Sequence, residues 1–283
     1  MNIQEKISFR GYQIPLVGLG STSFWYDDSE AEKAMRTAVM NGWISLIDTA
    51  EMYANGDCEE AVGRALKGIP RDSFFIVDKI LPQNANKANF RNSLEGSLKR
   101  LGTDYIDLYL LHWRENVNLQ EMVIEMTKAK RDGLIREWGV SNFDTDEMIE
   151  LFQCEGGKNC FANQVLYNVC ERGVEYDLIQ FLKKYDVLPM SYSVLGSNYS
   201  NARLRLETDT QIIKLCEDHN ISVVTLMLAF AIRNKDMPAF FSTSSVKHLM
   251  DNITGLEFDI KPFMGMIDAI FPPPVDKVPL AKI

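Results

Sequence analysis

Four residues in the N-terminal half have side chains that together could move a proton: Asp48, Tyr53, Lys79 and His112. Asp48, Lys79 and His112 close apolar runs, in ISLID, FFIVDK and IDLYLLH, and Tyr53 follows the first of them in IDTAEMY. A strand built for a core has no reason to end on a charge unless that charge meets a partner. Where they meet, Lys79 beside Tyr53 favours the phenolate and pulls a pKa of about 10 towards neutrality. Asp48 then keeps the ammonium charged and in place, and His112 hydrogen-bonds a substrate oxygen from the other side. This set suits protonation of a carbonyl oxygen while its carbon receives a hydride, or the reverse from an alcohol.

Other chemistries fit less well. Neither Asp48 nor His112 has a second histidine or carboxylate at ligand spacing, so no metal site is expected. There is no G-x-S-x-G nucleophile elbow, and a sugar-processing barrel would need a second acid at a strand end, where only Asp48 stands. Gly18-Leu19-Gly20 looks like the start of a dinucleotide fingerprint, but GLGSTS lacks the third glycine and reads instead as a tight turn at a strand end.

The elements that must position these residues follow from hydrophobic pattern. Eight runs are nearly continuously apolar, as strands buried on both faces of a parallel sheet are: LVGLG (16–20), ISLID (44–48), FFIVDK (74–79), IDLYLLH (106–112), REWGVS (136–141), ANQVLY (162–167), VLPMSYS (187–193) and MPAFFS (237–242). Between them the helical period recurs, with Phe90, Leu94, Leu98 and Leu101 on one stripe and Leu119, Met122, Val123, Met126 and Ala129 on another. Such alternation requires right-handed crossovers between parallel strands, and eight units close into a (β/α)8 TIM barrel, a single domain over residues 1–283. A doubly wound open sheet is the alternative. No linker interrupts the chain before FPPPVDKVP, whose prolines predict a short extended tail from about residue 271. In a parallel barrel the carboxyl ends of the strands converge on one face, so the four titratable groups would share a pocket.

At 283 residues and 46% apolar content the chain can bury a large core. A formal charge of −9 and a pI near 5.0 oppose nucleic acid or an anionic membrane as partner. The start, MNIQEKISFRG, lacks the order of a secretory signal, and no apolar run approaches a bilayer span, so a soluble cytoplasmic protein is expected. The five cysteines, with no C-x-x-C, read as reduced structural thiols.

The runs IDTAEMY, LKRLGTDYIDLYLLHW, GLIREWGVSNF, NQVLYN and SYSVLGS, in order between about Gly18 and Asn252, resemble those of the aldo-keto reductases. The resemblance implies a (β/α)8 barrel and a nicotinamide cofactor, usually NADPH (NADP), bound without a Rossmann fold. It implies that Tyr53 is the general acid, Lys79 and Asp48 its tuning pair, and His112 the group orienting the carbonyl. It places the nicotinamide amide at Ser141, Asn142 and Gln164 and the ring on Tyr192. Gly20, Ser21 and Thr22 match the first loop of the cofactor site, and Ser193, Leu195 and Ser197 the loop over the pyrophosphate. The last segment, Ser242, Thr243 and Ser244 to His248, departs from the family pattern at its two ends, while Asn252, with Asp251 before it, matches the family's adenine contact. Ser242 and His248 stand where strongly NADPH-preferring members carry basic residues, so NADH is possible as well. Val194 and Arg114 stand where proline is common. Phe24, Trp25, Tyr26, Trp113 and Tyr199 are candidates for an aromatic substrate pocket, Trp25 and Trp113 foremost, which suits small carbonyl compounds with an apolar part. The resemblance also allows a cofactor-binding accessory or regulatory subunit with little turnover, and leaves the oligomeric state open.

Overall fold

The computed structural model of the chain describes residues 5–25, 28–196 and 202–282. Eight parallel strands form a closed barrel: β3 (Val17–Gly20), β4 (Leu46–Asp48), β5 (Phe75–Ile80), β6 (Ile106–Leu111), β7 (Ile135–Ser141), β8 (Ala162–Leu166), β9 (Leu188–Tyr192) and β10 (Ala239–Phe241), with β10 pairing back onto β3. They lie where the apolar runs predict strands. The helices around them include α1 (Asp28–Met40), α2 (Asp57–Leu66), α3 (Phe90–Leu101), α4 (Leu119–Arg131), α5 (Thr145–Gln153) and α6 (Leu178–Lys184). After β9 come α7 (Ala202–Thr208), α8 (Thr210–Asp218), α9 (Val223–Ile232), α10 (Val246–Gly255) and α11 (Met264–Ile270). Both predicted stripes are buried, on α3 and on α4. Among the described residues no single helix is long and apolar enough to cross a membrane.

The pleat decides which way each strand residue faces. Leu46, Phe75, Val77, Leu108, Leu110, Ala162, Leu188, Met190 and Phe240 pack together inside the barrel. Their neighbours Ile47, Ile76, Tyr109, Val165 and Phe241 join the larger core between barrel and helices. Gly18 belongs to the inner set for steric reasons: a Cβ there would fall 2.5 Å from the Phe240 ring and 2.9 Å from Leu46. The glycines of GLG therefore sit inside β3, where Gly18 makes room in the barrel, rather than in a turn beyond it.

Two strands are absent from the sequence reading. β1 (Lys6–Phe9) and β2 (Tyr12–Pro15) form an antiparallel hairpin around Arg10 and Gly11, both at positive φ, the primed-turn geometry that matches strand twist. Ile14 is fully buried against the barrel interior, and Phe9 and Tyr12 meet Phe161 edge-on at 5.1 and 5.4 Å. The hairpin plugs the amino-terminal end of the barrel with apolar side chains.

Candidate active site

At the other end, the strand period that fills the interior projects polar residues inward. Two residues beyond Leu46 stands Asp48, beyond Val77 stands Lys79, and beyond Leu110 stands His112. By the same step Ala162 leads to Gln164, Met190 to Tyr192, Phe240 to Ser242, Gly139 to Ser141 and Gly18 to Gly20. Every barrel strand thus places a sequence-predicted residue on the inner row at its carboxyl end.

Lys79 organises the set. Its Nζ donates to Asp48 Oδ1 and Oδ2 at 2.8 and 2.7 Å, to the Thr49 carbonyl at 2.9 Å and to the Tyr53 hydroxyl at 3.3 Å. Lys79 and Asp48 are 1% and 4% exposed, so the pair is dry. Burial alone would lower the Lys79 pKa; the Asp48 carboxylate and the Tyr53 hydroxyl together outweigh it, and the Lys79 pKa lies above its ordinary value. The His112 ring stands edge-on to Tyr53, centroids 5.8 Å apart, and 4.8 Å from Trp113. Its Nδ1 is buried and meets no partner among the described residues. Burial, helped by the Lys79 charge, pushes the imidazole down to about 2, so His112 is neutral and can act as a hydrogen-bond donor.

Tyr53 departs from expectation. Its pKa is raised, because burial against the barrel rim outweighs the pull of Lys79, and Asp48 adds to the rise. The reason is geometric: Asp48 holds Lys79 with both oxygens, so the phenol faces a nearly neutralised pair rather than a bare cation. Tyr53 therefore keeps its proton at neutral pH, as a proton donor must.

A second wall adjoins the tetrad. Gln164 Nε2 donates to Asp48 Oδ1 at 2.8 Å, and Ser141 Oγ donates to the Gln164 carbonyl at 2.8 Å. Asn142, at φ +60°, donates from Nδ2 to the His112 carbonyl at 3.1 Å and to Ser141 Oγ at 3.2 Å; its Oδ1 accepts the Tyr192 hydroxyl at 2.7 Å. A carboxamide needs both donors and acceptors, and this wall offers hydroxyl and amide groups of both kinds, all fixed by their neighbours. With the half-buried Tyr192 alongside, the residues present fit a nicotinamide.

The remaining predicted positions divide. Thr22 and Ser242 join the loops after β3 and β10 through hydroxyls 2.9 Å apart, and a Cβ on Gly20 would fall 2.8 Å from Ser242 Oγ. Thr243 Oγ1 accepts the Ser245 amide at 3.3 Å, and the Ser245 hydroxyl caps α10, on which His248 and Asp251 are exposed and Asn252 buried. Ser244 is exposed. Ser21 is fully buried, its hydroxyl on Thr49 Oγ1 at 2.9 Å, so it braces the rim from within. Ser193, at φ +52°, anchors its loop through its carbonyl to Asn168 Nδ2 at 3.1 Å, and Leu195 packs on the core. Ser197, Tyr26 and Tyr199 lie outside the described residues. Trp25 ends the short 3-10 turn Thr22–Trp25. Phe24, one of the candidates for the pocket, is 3% exposed and belongs to the core, because that turn rolls it inward. Trp113 remains beside His112, its Nε1 on Glu115 at 2.5 Å.

Two contributors escape sequence reasoning. Thr49 acts through its main-chain carbonyl, which carries no residue-type signal. Glu51 accepts the Leu81 amide at 2.6 Å, Asn84 Nδ2 at 3.0 Å and the Ser93 hydroxyl, tying the Tyr53 loop to the end of β5 and to α3. A second acid inside IDTAEMY was its only signal. The proline tail also does more than trail away: Lys277 reaches Asp146 at 3.0 Å, at the start of α5, and Asp177 at 3.6 Å, before α6. It thus crosses the segments that follow β7 and β8.

Comparison with known proteins agrees with this geometry. The sequence profile described as Aldo/keto reductase family matches residues 16–270. The chain is 38% identical to methylglyoxal reductase YeaE of Escherichia coli (strain K12), over 99% of each chain. It is 32% identical to methylglyoxal reductase DkgB of Escherichia coli O157:H7, over 77% of this chain and 79% of that one. An aldo/keto reductase from Klebsiella pneumoniae, solved with NADP and acetate, superposes with a TM-score of 0.91 at 35% identity, covering 99% of this chain and 100% of that one. A second Klebsiella pneumoniae structure, in complex with NADPH, gives 0.90 at 35% identity and 99% of both chains. By profile, sequence and fold alike, the chain belongs to the aldo/keto reductase family.

Proposed function

We propose that this enzyme reduces small aldehydes and ketones to alcohols with Tyr53 as general acid, and that short 2-oxoaldehydes of the methylglyoxal type are among its substrates. The protein is an NAD(P)H-dependent oxidoreductase and its cofactor is NADPH, which supplies the hydride when bound. The observation that carries the catalytic reading is the single ammonium of Lys79, shared between both oxygens of Asp48 and the hydroxyl of Tyr53.

The chain's own part follows from that arrangement. Neutral His112 donates a hydrogen bond to the substrate carbonyl oxygen and orients it towards the Tyr53 hydroxyl. As negative charge grows on that oxygen, Tyr53 transfers its proton, and the Lys79 ammonium stabilises the phenolate left behind. Asp48 prevents Lys79 from losing its charge in the dry site, and Gln164 holds Asp48 in register. Ser141, Asn142, Gln164 and Tyr192 would hold the nicotinamide, and Trp113 offers a flat wall to the substrate. The 38% identity to a methylglyoxal reductase over 99% of both chains supports the substrate class.

Tyr53→Phe is the test. It removes the proton and little volume, so NADPH binding, followed by titration, is expected to persist while turnover of methylglyoxal falls by roughly 10² to 10⁴. Turnover within a few-fold of the parent would exclude Tyr53 as the acid.

A further inference from the structure

Behind Lys79, on the outer side of β5, two carboxyl groups meet in the layer between barrel and helices. Asp78 points outward because Lys79 points inward, and Glu59 meets it from the first turn of α2; both are 0% exposed. The two side chains lie within hydrogen-bonding reach of each other. Asp78 Oδ1 accepts the Lys79 backbone N–H at 2.8 Å, and Glu59 Oε2 accepts Arg100 Nε at 2.6 Å. The other two oxygens, Asp78 Oδ2 and Glu59 Oε1, are buried and meet no donor among the described residues.

The surroundings do not supply the missing charge. Arg100 faces the pair from α3, Lys79 from β5 itself, Glu51 from the loop after β4, and the buried Tyr109 hydroxyl from β6. Lys79 is already matched by Asp48, and Arg100 stands among Glu59, Asp78 and Glu51. Two facing carboxylates without solvent repel strongly, whereas one proton between them turns the repulsion into a short charge-assisted hydrogen bond.

Arg100 also touches the turn that carries the general acid. Tyr53 is followed by Ala54, Asn55 and Gly56 at φ +49°, +54° and +98°, a left-handed run that L side chains adopt only under constraint. A Cβ on Gly56 would fall 2.7 Å from Arg100 Cδ and Nε, so the guanidinium lies directly beneath this turn. Glu59 fixes Arg100 there.

We propose that Asp78 and Glu59 share one proton and, through Arg100, act as positioning residues that hold the left-handed turn bearing Tyr53 against Lys79. The positioning half rests on the assignment of Tyr53 as the acid; the shared proton does not. Burial, and after it the Glu59 charge, pushes the Asp78 carboxyl well above its ordinary range. The folded chain then keeps a proton that the unfolded chain releases. Its contribution to stability is complete below the ordinary carboxyl range and is lost as the pH climbs through the raised value.

The test compares the parent with Asp78→Asn, whose amide N–H supplies permanently the donor that the proton supplies now. Urea unfolding is followed from about pH 5 to about pH 9, and the unfolding constant of the parent is expected to rise relative to the variant's by up to about tenfold per pH unit. Parallel curves overturn the shared proton. On the same series, the parent's kcat for methylglyoxal should begin its alkaline fall at lower pH than the variant's, with the Kd for NADPH unchanged in both. Alkaline limbs that coincide overturn the positioning role, whatever the unfolding curves show. Where Asp78→Asn fails to fold, Glu59→Gln supplies the donor from the other side and is read in the same way. Tyr53→Phe leaves the unfolding comparison intact, so failure of the acid assignment is distinguishable from failure of the proton.

Discussion

Replacing Lys79 by methionine separates what the buried ion pair does for stability from what it does for chemistry. Lys79 is 1% exposed and Asp48 4%, and removal of the ammonium leaves the carboxylate with the Gln164 amide at 2.8 Å as its remaining described side-chain donor. Breaking a buried pair from one side costs about 3–5 kcal/mol, since the orphaned charge has lost its water without gaining a partner. Against a total stability of roughly 5–15 kcal/mol, Lys79→Met should still fold, with a clearly lowered urea midpoint. Lys79→Met with Asp48→Leu removes both charges, and apolar replacement of a whole pair is often near neutral. The double variant should therefore recover most of the loss, keeping a deficit of about 1–3 kcal/mol for the Thr49 carbonyl and Gln164 amide left without partners. Turnover should not recover: on the proposed mechanism both variants lose the cation assigned to the Tyr53 phenolate, and kcat should fall by roughly 10² or more. Urea titration of the four corners of the cycle gives the coupling energy directly. A double variant as unstable as Lys79→Met, or more so, would refute the claim that an uncompensated carboxylate is the source of the cost.

His112, pushed down to about 2, should stay neutral throughout the working range, so its contribution to pH dependence has the opposite sign from that of the acid pair. As the pH falls below about 6.5 the unfolded histidine takes up a proton that the folded one refuses. Between about pH 6 and about pH 4 the parent should lose ~1.4 kcal/mol per pH unit relative to His112→Gln; parallel unfolding curves would show that the imidazole is not kept neutral. Ser242→Lys with His248→Arg adds the cations at the end of β10 and on α10, and isothermal titration should find NADPH tightened more than NADH. An equal gain for both nucleotides would place the 2′-phosphate elsewhere. Asn142→Ala removes the acceptor of the Tyr192 hydroxyl and puts a Cβ-bearing residue with no local hydrogen bond at φ +60°. A Kd for NADPH raised about tenfold is expected from the loss of about one hydrogen bond, and an unchanged Kd would remove Asn142 from the cofactor wall.

How much of this was legible in the chain depended on whether the signal was local. The eight apolar runs predict the eight barrel strands because a strand buried on both faces declares itself within a few residues. A two-residue step then carries an interior leucine or valine to Asp48, Lys79 or His112, so the inner row of the site follows from the same alternation. The hairpin before the barrel was legible in principle: IleSerPheArgGlyTyrGlnIle alternates around an Arg-Gly turn. Its period of two is the mark of an antiparallel pair rather than of the barrel strands beyond it. Phe24 was misplaced because an aromatic after a strand reads alike whether its turn rolls it outward or into the core.

Residue type and short-range period by themselves predict the eight strands and the charged residues at their ends, whereas the polar wall beside them was legible only through the resemblance to a known family. Only the tertiary structure decided the protonation of the site. Asp48, Lys79 and Gln164 lie 31 and 116 positions from their partners, and how dry that meeting place is appears in no local pattern. Exclusion of water is what raises Tyr53 rather than lowering it and keeps His112 neutral, and the closure of distant segments sets Asp78 against Glu59 without a donor between them. A pKa reports the difference in environment between a charged and a neutral form, and that environment comes into being only when distant segments close around the group.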